Sequence, residues 1–360
     1  MHVDLDYFYA QCEENLNPSI RKKPVVVCVF SGRTESSGVV STCNYETRKY
    51  GVRAGIPIVR AKKLLENVDA VYLPMNRPYY EQVSDRIMKL LKLYGDFYEK
   101  AGIDEAFLDL SIRTNGEIEK AREIAHEIKQ QLLKQEHITC SIGIGPNKLL
   151  AKIGSDHQKP DGLTIINTEW INVFLGPLAV NKIPGVGKKV EERLTQLAVK
   201  TIGELSAVDT ATLIQTFGKN LGTYLYRAAR GEDEEPVKER EQPTQISRIA
   251  TLKSNTRDVL EILPFLAELA KSVATKLSEK GMACKSIGII AILDNLSIHS
   301  KSKRLDSPTC DEETILRVSE DLMEDFLQPT PSVILRRVGV RLSELSVRSG
   351  QTDISRFLQA

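Results

Sequence analysis

The stretch AGIDEAFLDL, residues 101–110, sets two adjacent carboxylates, Asp104 and Glu105, inside an otherwise apolar run that reads as a strand. A third acid, Asp4, stands in the opening segment MHVDLDYFY, residues 1–9. Two unit charges about 4 Å apart repel by about 1 kcal/mol in bulk water and about 4 kcal/mol at an effective dielectric near 20, so carboxylates converging beside strands need a cation. Mg²⁺ suits them. It takes a few carboxylates together with phosphate oxygens, and two such ions about 3.5–4 Å apart serve in-line phosphoryl transfer. Acids beside strands are also ordinary turn or solvated residues, so the rest of the chain decides between the two.

With 360 residues, 41% hydrophobic and 27% charged, the chain is long enough for two to four domains of ordinary globular composition. No apolar run approaches the roughly 20 residues of a membrane span, and the start lacks a signal-peptide layout, so a cytoplasmic protein without membrane contact is expected. Cys12, Cys28, Cys43, Cys140, Cys284 and Cys310 are scattered, which suggests reduced packing residues rather than a zinc site or disulfides. The net charge of +1 leaves nucleic acid open, because what matters is whether Lys and Arg gather on one face.

Residues 24–30 (PVVVCVF) read as a strand buried on both faces. Val83, Ile87, Leu90, Leu91 and Tyr94 recur at helical spacing, with Gly95 as the expected C-cap. Ile118, Ala121, Ala125, Ile128 and Leu132 mark a second amphipathic helix, and residues 139–145 a strand. This alternation predicts a mixed α/β catalytic domain with an inserted subdomain. Residues 163–230 are mainly helical, and GEDEEPVKEREQPTQ, residues 231–245, is a charged, proline-containing linker. Beyond it, helices near 258–280 and 311–327 and strands at 286–293, 297–305 and 333–342 predict a separate small α/β domain.

Asp6 is placed to cap a helix over residues 7–15, whose free N–H groups would offer a phosphate site beside Asp4. In TCNYETR, residues 42–48, a helical turn would bring Tyr45 and Arg48 onto one face, either for an anion or for solvent. Lys148 and Lys152, four apart in a helix opened by Pro146, share a basic face, with Lys159 following in HQKPDG. KIPGVGK, residues 182–188, has the form of a helix-hairpin-helix turn: Gly185 and Gly187 let N–H groups point at a phosphate flanked by Lys182 and Lys188, although a plain glycine turn shares the pattern. Alternation sets Arg337, Gly339 and Arg341 on one strand face; Lys301 and Lys303 share a face of the preceding strand, with Arg304 near its end. Such a sheet would ride a duplex backbone or protect its edge. In the tail QTDISRFL, Gln351, Ile354, Phe357 and Leu358 would form a compact plug for a hydrophobic pocket on a partner, or a frayed terminus.

Taken together, DLDYFYAQCE, PVVVCVFSGR, STCNYETRKYGVRAGIP, IDEAFLDL, KPDG, KIPGVGK and RRVGVRL, in this order, resemble the Y-family translesion DNA polymerases of the DNA polymerase IV type, most of all their archaeal branch. The resemblance covers nearly the whole chain. It implies an α/β (α+β) multidomain right hand: a ferredoxin-like palm (1–9 and 74–162), small fingers (10–73), a helical thumb with the helix-hairpin-helix (163–230), a linker (231–245), an α/β little finger that grips DNA (246–345) and a tail with a sliding-clamp-binding-like motif (346–360).

By position, the resemblance implies that Asp4, Asp104 and Glu105 are catalytic and hold two Mg²⁺ ions together with the Leu5 carbonyl. It makes Tyr9 the steric gate against a ribose 2′-OH, and gives the triphosphate to Tyr7, Phe8, Thr42, Tyr45, Arg48 and Lys159. Val29, Val39 and Gly55 would roof the nascent base pair. DNA contacts would fall to Lys148, Lys152, Lys182, Gly185, Gly187, Lys188, Lys301, Lys303, Arg304, Arg336, Arg337 and Arg341. The implied partners of this monomer are primer-template DNA, deoxynucleoside triphosphates and a sliding clamp.

The chain departs from the family pattern in having Leu358 for a final aromatic, Gly102 where Ser is common, and only Met1 to Val3 before Asp4, so that a short or truncated first strand is expected. Two other readings compete. A nucleotide cyclase would share the two-metal sheet but has no use for KIPGVGK or a basic last domain. A silent DNA-binding scaffold on the clamp has no use for three mutually repelling acids.

Overall fold

The computed structural model describes residues 1–239, 242–329 and 332–348. The first strand, β1 (His2–Leu5), alternates between two environments. Val3 and Leu5 enter a hydrophobic core, while His2 and Asp4 point to the other face. The next three strands, β2 (Val25–Phe30), β3 (Gly38–Cys43) and β4 (Val71–Pro74), form a small separate sheet in the order β3-β2-β4 around Val26, Cys28, Val40 and Ile58. Burial on both faces holds only for Val25–Cys28; Val29 and Phe30 at the end of β2 are exposed.

β1 is then joined by β5 (Phe97–Lys100), β6 (Glu105–Asp109), β7 (Cys140–Ile144) and β8 (Leu163–Ile165) in the order β5-β6-β1-β7-β8. β1 runs antiparallel to both neighbours. The helices Arg77–Lys92 and Ile118–Glu136 bury Val83, Ile87, Leu91, Ala125, Ile128 and Leu132 against one side, where Ala106, Leu108 and Ile142 meet them. Gly95 is not the C-cap of the first of these helices; Leu93 is. The helix Lys148–His157 lies on the opposite side. There it comes so close to β7 that a Cβ on Gly143 would sit 1.9 Å from the Ala151 carbonyl oxygen, which excludes any larger residue. Asn147, not Pro146, caps this helix through the Leu150 N–H.

Residues 171–228 supply short helices around Ile183, Leu194, Ile202, Leu213 and Leu225. Thr201 and Glu204 close a capping box at the start of Ile202–Ser206. The last four strands, β9 (Gln245–Thr256), β10 (Met282–Leu293), β11 (Ile298–Thr309) and β12 (Leu335–Val347), form an antiparallel sheet in the order β11-β10-β12-β9. The helices Val259–Glu279 and Glu312–Leu327 cover one of its faces. The chain divides into two compact units, Met1–Val29 with Gly38–Arg240, and Phe30–Ser37 with Glu241–Ala360. Five cysteines are buried, Cys310 is partly so, and none is paired.

Candidate active site

Antiparallel pairing sets Asp4 directly opposite Glu105, and directly opposed residues share a sheet face. Asp104 immediately precedes β6, and its carbonyl accepts the Leu5 N–H at 2.8 Å, which locks the two acidic segments in register. The acids therefore gather at one end of the face beneath the helix Lys148–His157. Burial pushes the Asp4 carboxyl up to about 7, in spite of Lys159 beside it, and raises Asp104, which Glu105 repels as well. Glu105 goes the other way: contacts with His2 and then Lys152 hold it at about 2. Lys159 Nζ stands 2.7 Å from Asp4 Oδ1 and 2.6 Å from Asp156 Oδ1, and Lys152 Nζ binds Glu105 Oε2. Two ammonium groups thus occupy the positions next to the acids where cations are wanted.

Among the described residues, no three acidic, histidine or cysteine side chains converge as a ready-made metal cage. Mg²⁺ is held by one or two carboxylates with substrate phosphates rather than by a dedicated protein cage. The hard oxygen donors Asp4, Asp104 and Glu105, two of them raised by burial, match such an ion. A Cβ on Gly102 would approach Glu105 Cγ at 3.0 Å and Asp104 Oδ1 at 3.3 Å, so glycine leaves both acids room.

Asp6 does not cap a helix. The helix is Phe8–Leu16, with Tyr7 at its N-cap in the left-handed region, φ 34°. Asp6 is buried; it accepts from Ser141 Oγ (2.7 Å), Thr139 Oγ1 (3.0 Å) and the Asp161 N–H (2.8 Å). It thereby ties the end of β1 to the turn that carries Lys159. A cap needs only one donor within reach, whereas three donors from residues 139–161 hold the carboxylate away from the helix.

Tyr9 stacks on Tyr80, centroids 4.5 Å apart and planes 15° from parallel, and Tyr80 in turn donates to Glu13 at 2.5 Å, so the Tyr9 ring is fixed. Tyr7 meets Tyr45 edge-on at 5.4 Å, and Arg48 lies over the Tyr45 ring at 4.4 Å. Tyr45 and Arg48 do share the face of a helical turn, Tyr45–Arg48, capped by Asn44. Together with Arg53, Lys152, Lys159 and Lys182 they line a cleft of about 600 Å³ that runs to the KIPGVGK turn. Thr42 is half-buried on β3. Phe8 is a correction: its ring is a core residue, leaving only its backbone to face a phosphate. The Gly55 N–H bonds the Val40 carbonyl, which brings Val39 and Gly55 together; Val29 is exposed on β2.

In the KIPGVGK turn Gly185 has φ +85°, a conformation that favours glycine, Gly187 caps the helix Lys188–Gln196, and Lys182 and Lys188 are exposed. Lys148 is a second correction. It is buried, 2.7 Å from the buried Glu99, because the helix start turns it toward β5 rather than outward with Lys152. Register makes a third. Lys301 pairs with Ile289 and Lys303 with Ile287, both core residues, so these lysines share the helix-covered face, and Lys301 meets Asp325 at 2.9 Å. The open face instead carries Arg304, Arg337 and Arg341, opposite Ser286, Ile292 and Gly288. Arg336 and Arg337 each keep a buried Nε without a hydrogen bond. Gln351, Ile354, Phe357 and Leu358 lie outside the described residues.

Sequence reasoning missed His2, Glu99 and Asp156, which surround the acids or their lysines. The signal for His2 was alternation, since residue 2 must share Asp4's face.

Three family models match the chain: the impB/mucB/samB family over residues 3–156, its C-terminal domain over 243–355, and the DNA polymerase-iota thumb domain over 181–233. A DNA polymerase IV from Nitrosopumilus maritimus is 46% identical over 99% of this chain and 98% of its own. Another, from Methanosarcina acetivorans, is 43% identical over 98% of each. Among solved structures, a Y-family DNA polymerase chimera superposes with a TM-score of 0.90 at 39% identity, covering 96% of this chain and 99% of that one. An insertion ternary complex of Dbh DNA polymerase superposes at 0.69, with 39% identity over 96% and 99%.

Proposed function

The chain belongs to the Y-family DNA polymerases, the impB/mucB/samB family, and from this premise we propose how its own residues carry out nucleotidyl transfer. It is a translesion DNA-directed DNA polymerase, and its chemistry is metal-dependent. The observation that carries the reading is the pairing of Asp4 with Glu105 beside Asp104, three acids at one end of a sheet whose opposite face is core. Asp4, Asp104, Glu105 and the Leu5 carbonyl would hold two Mg²⁺ ions, which when bound neutralise charge on the primer 3′-oxygen and on the triphosphate.

The side chains do the positioning. Lys159 and Lys152 keep the acids in place before substrate arrives, and the basic cleft of Tyr45, Arg48 and Lys182 offers the triphosphate a path. When a triphosphate enters, Lys159 has a stronger anion than Asp4 to bind, and its release exposes the carboxylate. Tyr7, Thr42 and the Phe8 backbone complete the phosphate side, and Val29, Val39 and Gly55 roof the base pair with little bulk. A low roof of small residues tolerates distorted templates at the expense of fidelity.

Extension of a primer past an abasic site, in Mg²⁺ with four deoxynucleotides, tests the function; binding without extension would favour the silent scaffold. For Tyr9→Ala, incorporation of ribonucleotides rises by about 5- to 150-fold, since wedging an extra group against a fixed ring costs about 1–3 kcal/mol. Unchanged sugar selectivity in single-nucleotide kinetics would remove the gate from Tyr9.

Duplex gripping is assigned to Lys152, Lys182, Gly185, Gly187, Lys188, Arg304, Arg336, Arg337 and Arg341. Log affinity then falls with log salt by about 0.9 per phosphate neutralised. Arg337→Ala together with Arg341→Ala lowers that slope by about 2; an unchanged slope would mean that the open face of the last sheet does not meet DNA. A monomer acting in the cytoplasm, docked on a sliding clamp through Gln351, Ile354, Phe357 and Leu358, completes the proposal. No described helix is long and apolar enough to cross a membrane. Clamp-dependent stimulation that survives deletion of the tail would count against the docking.

A further inference from the structure

Lys159 hangs from a turn, residues 159–162, that is held more firmly than a surface turn needs. Its N–H groups are taken from one side: that of Asp161 by the Asp6 carboxylate at 2.8 Å and that of Gly162 by Ser141 Oγ at 3.3 Å, while the Ser141 hydroxyl donates to Asp6 at 2.7 Å. Its carbonyls are taken by Lys129, which reaches them from the helix Ile118–Glu136. An ammonium has three N–H donors, and three acceptors stand close to this one. They are Asp161 Oδ1 at 2.6 Å, the Cys140 carbonyl at 2.7 Å and the Asp161 carbonyl at 2.8 Å, with the Gly162 carbonyl further off at 3.3 Å. Asp161 has φ 56°, in the left-handed region that is uncommon outside glycine, and a residue so placed persists where its surroundings over-determine it. The Lys129 side chain is 16% exposed and that of Asp161 59%, so a surface ion pair, worth little by itself, is a weak reason to draw this lysine inward.

Resting on the reading of Lys159 as a triphosphate ligand, we propose that Lys129 is a positioning residue for the incoming nucleotide, acting through the turn that carries Lys159. That turn is the fixed end of the Lys159 side chain. Nζ lies between Asp4 and Asp156, at 2.7 and 2.6 Å, and reaches a triphosphate by rotating its side chain about this end. Lys129 and Asp6 grip the turn through opposite backbone groups, carbonyls and an N–H, so the arc open to Nζ is set by the palm sheet and its helix before nucleotide arrives. Without Lys129 the turn is held from one side only. A positioning group displaced by about 1 Å costs up to about 100-fold.

Single-turnover extension of a primer by one deoxynucleotide gives the apparent Kd for nucleotide and the rate at saturation separately. Lys129→Met keeps the stem and removes the donors; it weakens the Kd by about 10- to 100-fold while the rate at saturation holds, and Lys129→Arg, which restores charge and donors, recovers most of the loss. A merely structural contact would add its effect to that of any substitution at the site. Positioning through Lys159 does not add. In a Lys159→Ala background, where the turn has no ammonium to place, Lys129→Met changes the Kd by less than about twofold. Should Lys129→Met fail to fold, Asp161→Gly takes its place in both backgrounds, since glycine keeps the left-handed turn and removes only the carboxylate from the Lys129 acceptors. Equal weakening in both backgrounds, or none in either, overturns the proposal. Lys159→Ala alone keeps the outcomes distinct. If it binds nucleotide like the wild type, the triphosphate reading of Lys159 itself falls; if it binds weakly while Lys129→Met binds normally, only the role of Lys129 falls.

Discussion

Replacing Asp104 and Glu105 together by Ala abolishes primer extension, with a loss on the order of a thousandfold or more, while DNA binding and folding persist. The size follows from what is removed: two of the three carboxylates that gather the charge-neutralising ions, and electrostatic stabilisation supplies the largest share of such catalysis. Persistence of the fold has its own argument. Burial and the neighbouring Glu105 both disfavour the charged form of Asp104, so its loss relieves repulsion instead of breaking a pair. Glu105 leaves Lys152 behind, but that side chain is about a quarter exposed, at 28%, and can turn to water. Single-turnover extension and a thermal melt on the same preparation check both halves. Extension near the wild-type rate would remove the metal site from this sheet.

The second large effect concerns stability. Glu99 and Lys148 are 2% and 9% exposed, and their charged atoms stand 2.7 Å apart. The Lys148 ammonium also lies 5.1 Å over the Phe107 ring, with Glu235 at 3.8 Å. Glu99→Ala strands a buried cation and costs about 3–5 kcal/mol in urea unfolding. Replacing both partners, Glu99→Leu with Lys148→Met, is near neutral, because apolar side chains of similar volume avoid desolvating two charges. The double variant also leaves the salt slope of DNA binding unchanged, since Lys148 contributes no free charge. A Glu99→Ala protein as stable as wild type would show that solvent reaches the pair.

How much of this was legible depended on whether the deciding contact was local. The acidic segments were legible as strand-like runs, but turn or solvated residues explained the acids equally well until the pairing of β1 with β6 set Asp4 opposite Glu105. Tyr45 and Arg48 lie within one turn, so their shared face followed from spacing. Lys148 looked like Lys152 in sequence; what separates them is Glu99, 49 positions away on an edge strand. Lys301 and Lys303 did share a face, but which face was set by pairing with Ile289 and Ile287, and a strand read alone does not reveal its register. Asp6 was misplaced for the same reason, its three donors coming from residues 139–161. The clamp-like tail lies beyond the described residues.

The strand order β5-β6-β1-β7-β8 puts the amino-terminal strand in the middle of its sheet, paired on both sides by segments made much later. During synthesis, β1 leaves the ribosome without a partner and stays so until residues 105–109 and then 140–144 have emerged. A chain growing at about 5–20 residues per second therefore carries this strand unpaired for roughly 5–20 s, until β6 has emerged, a window in which chaperone capture competes with misassociation. The same order of pairing applies to the acids: Asp4 comes to stand opposite Glu105 only once β6 has emerged and paired with β1.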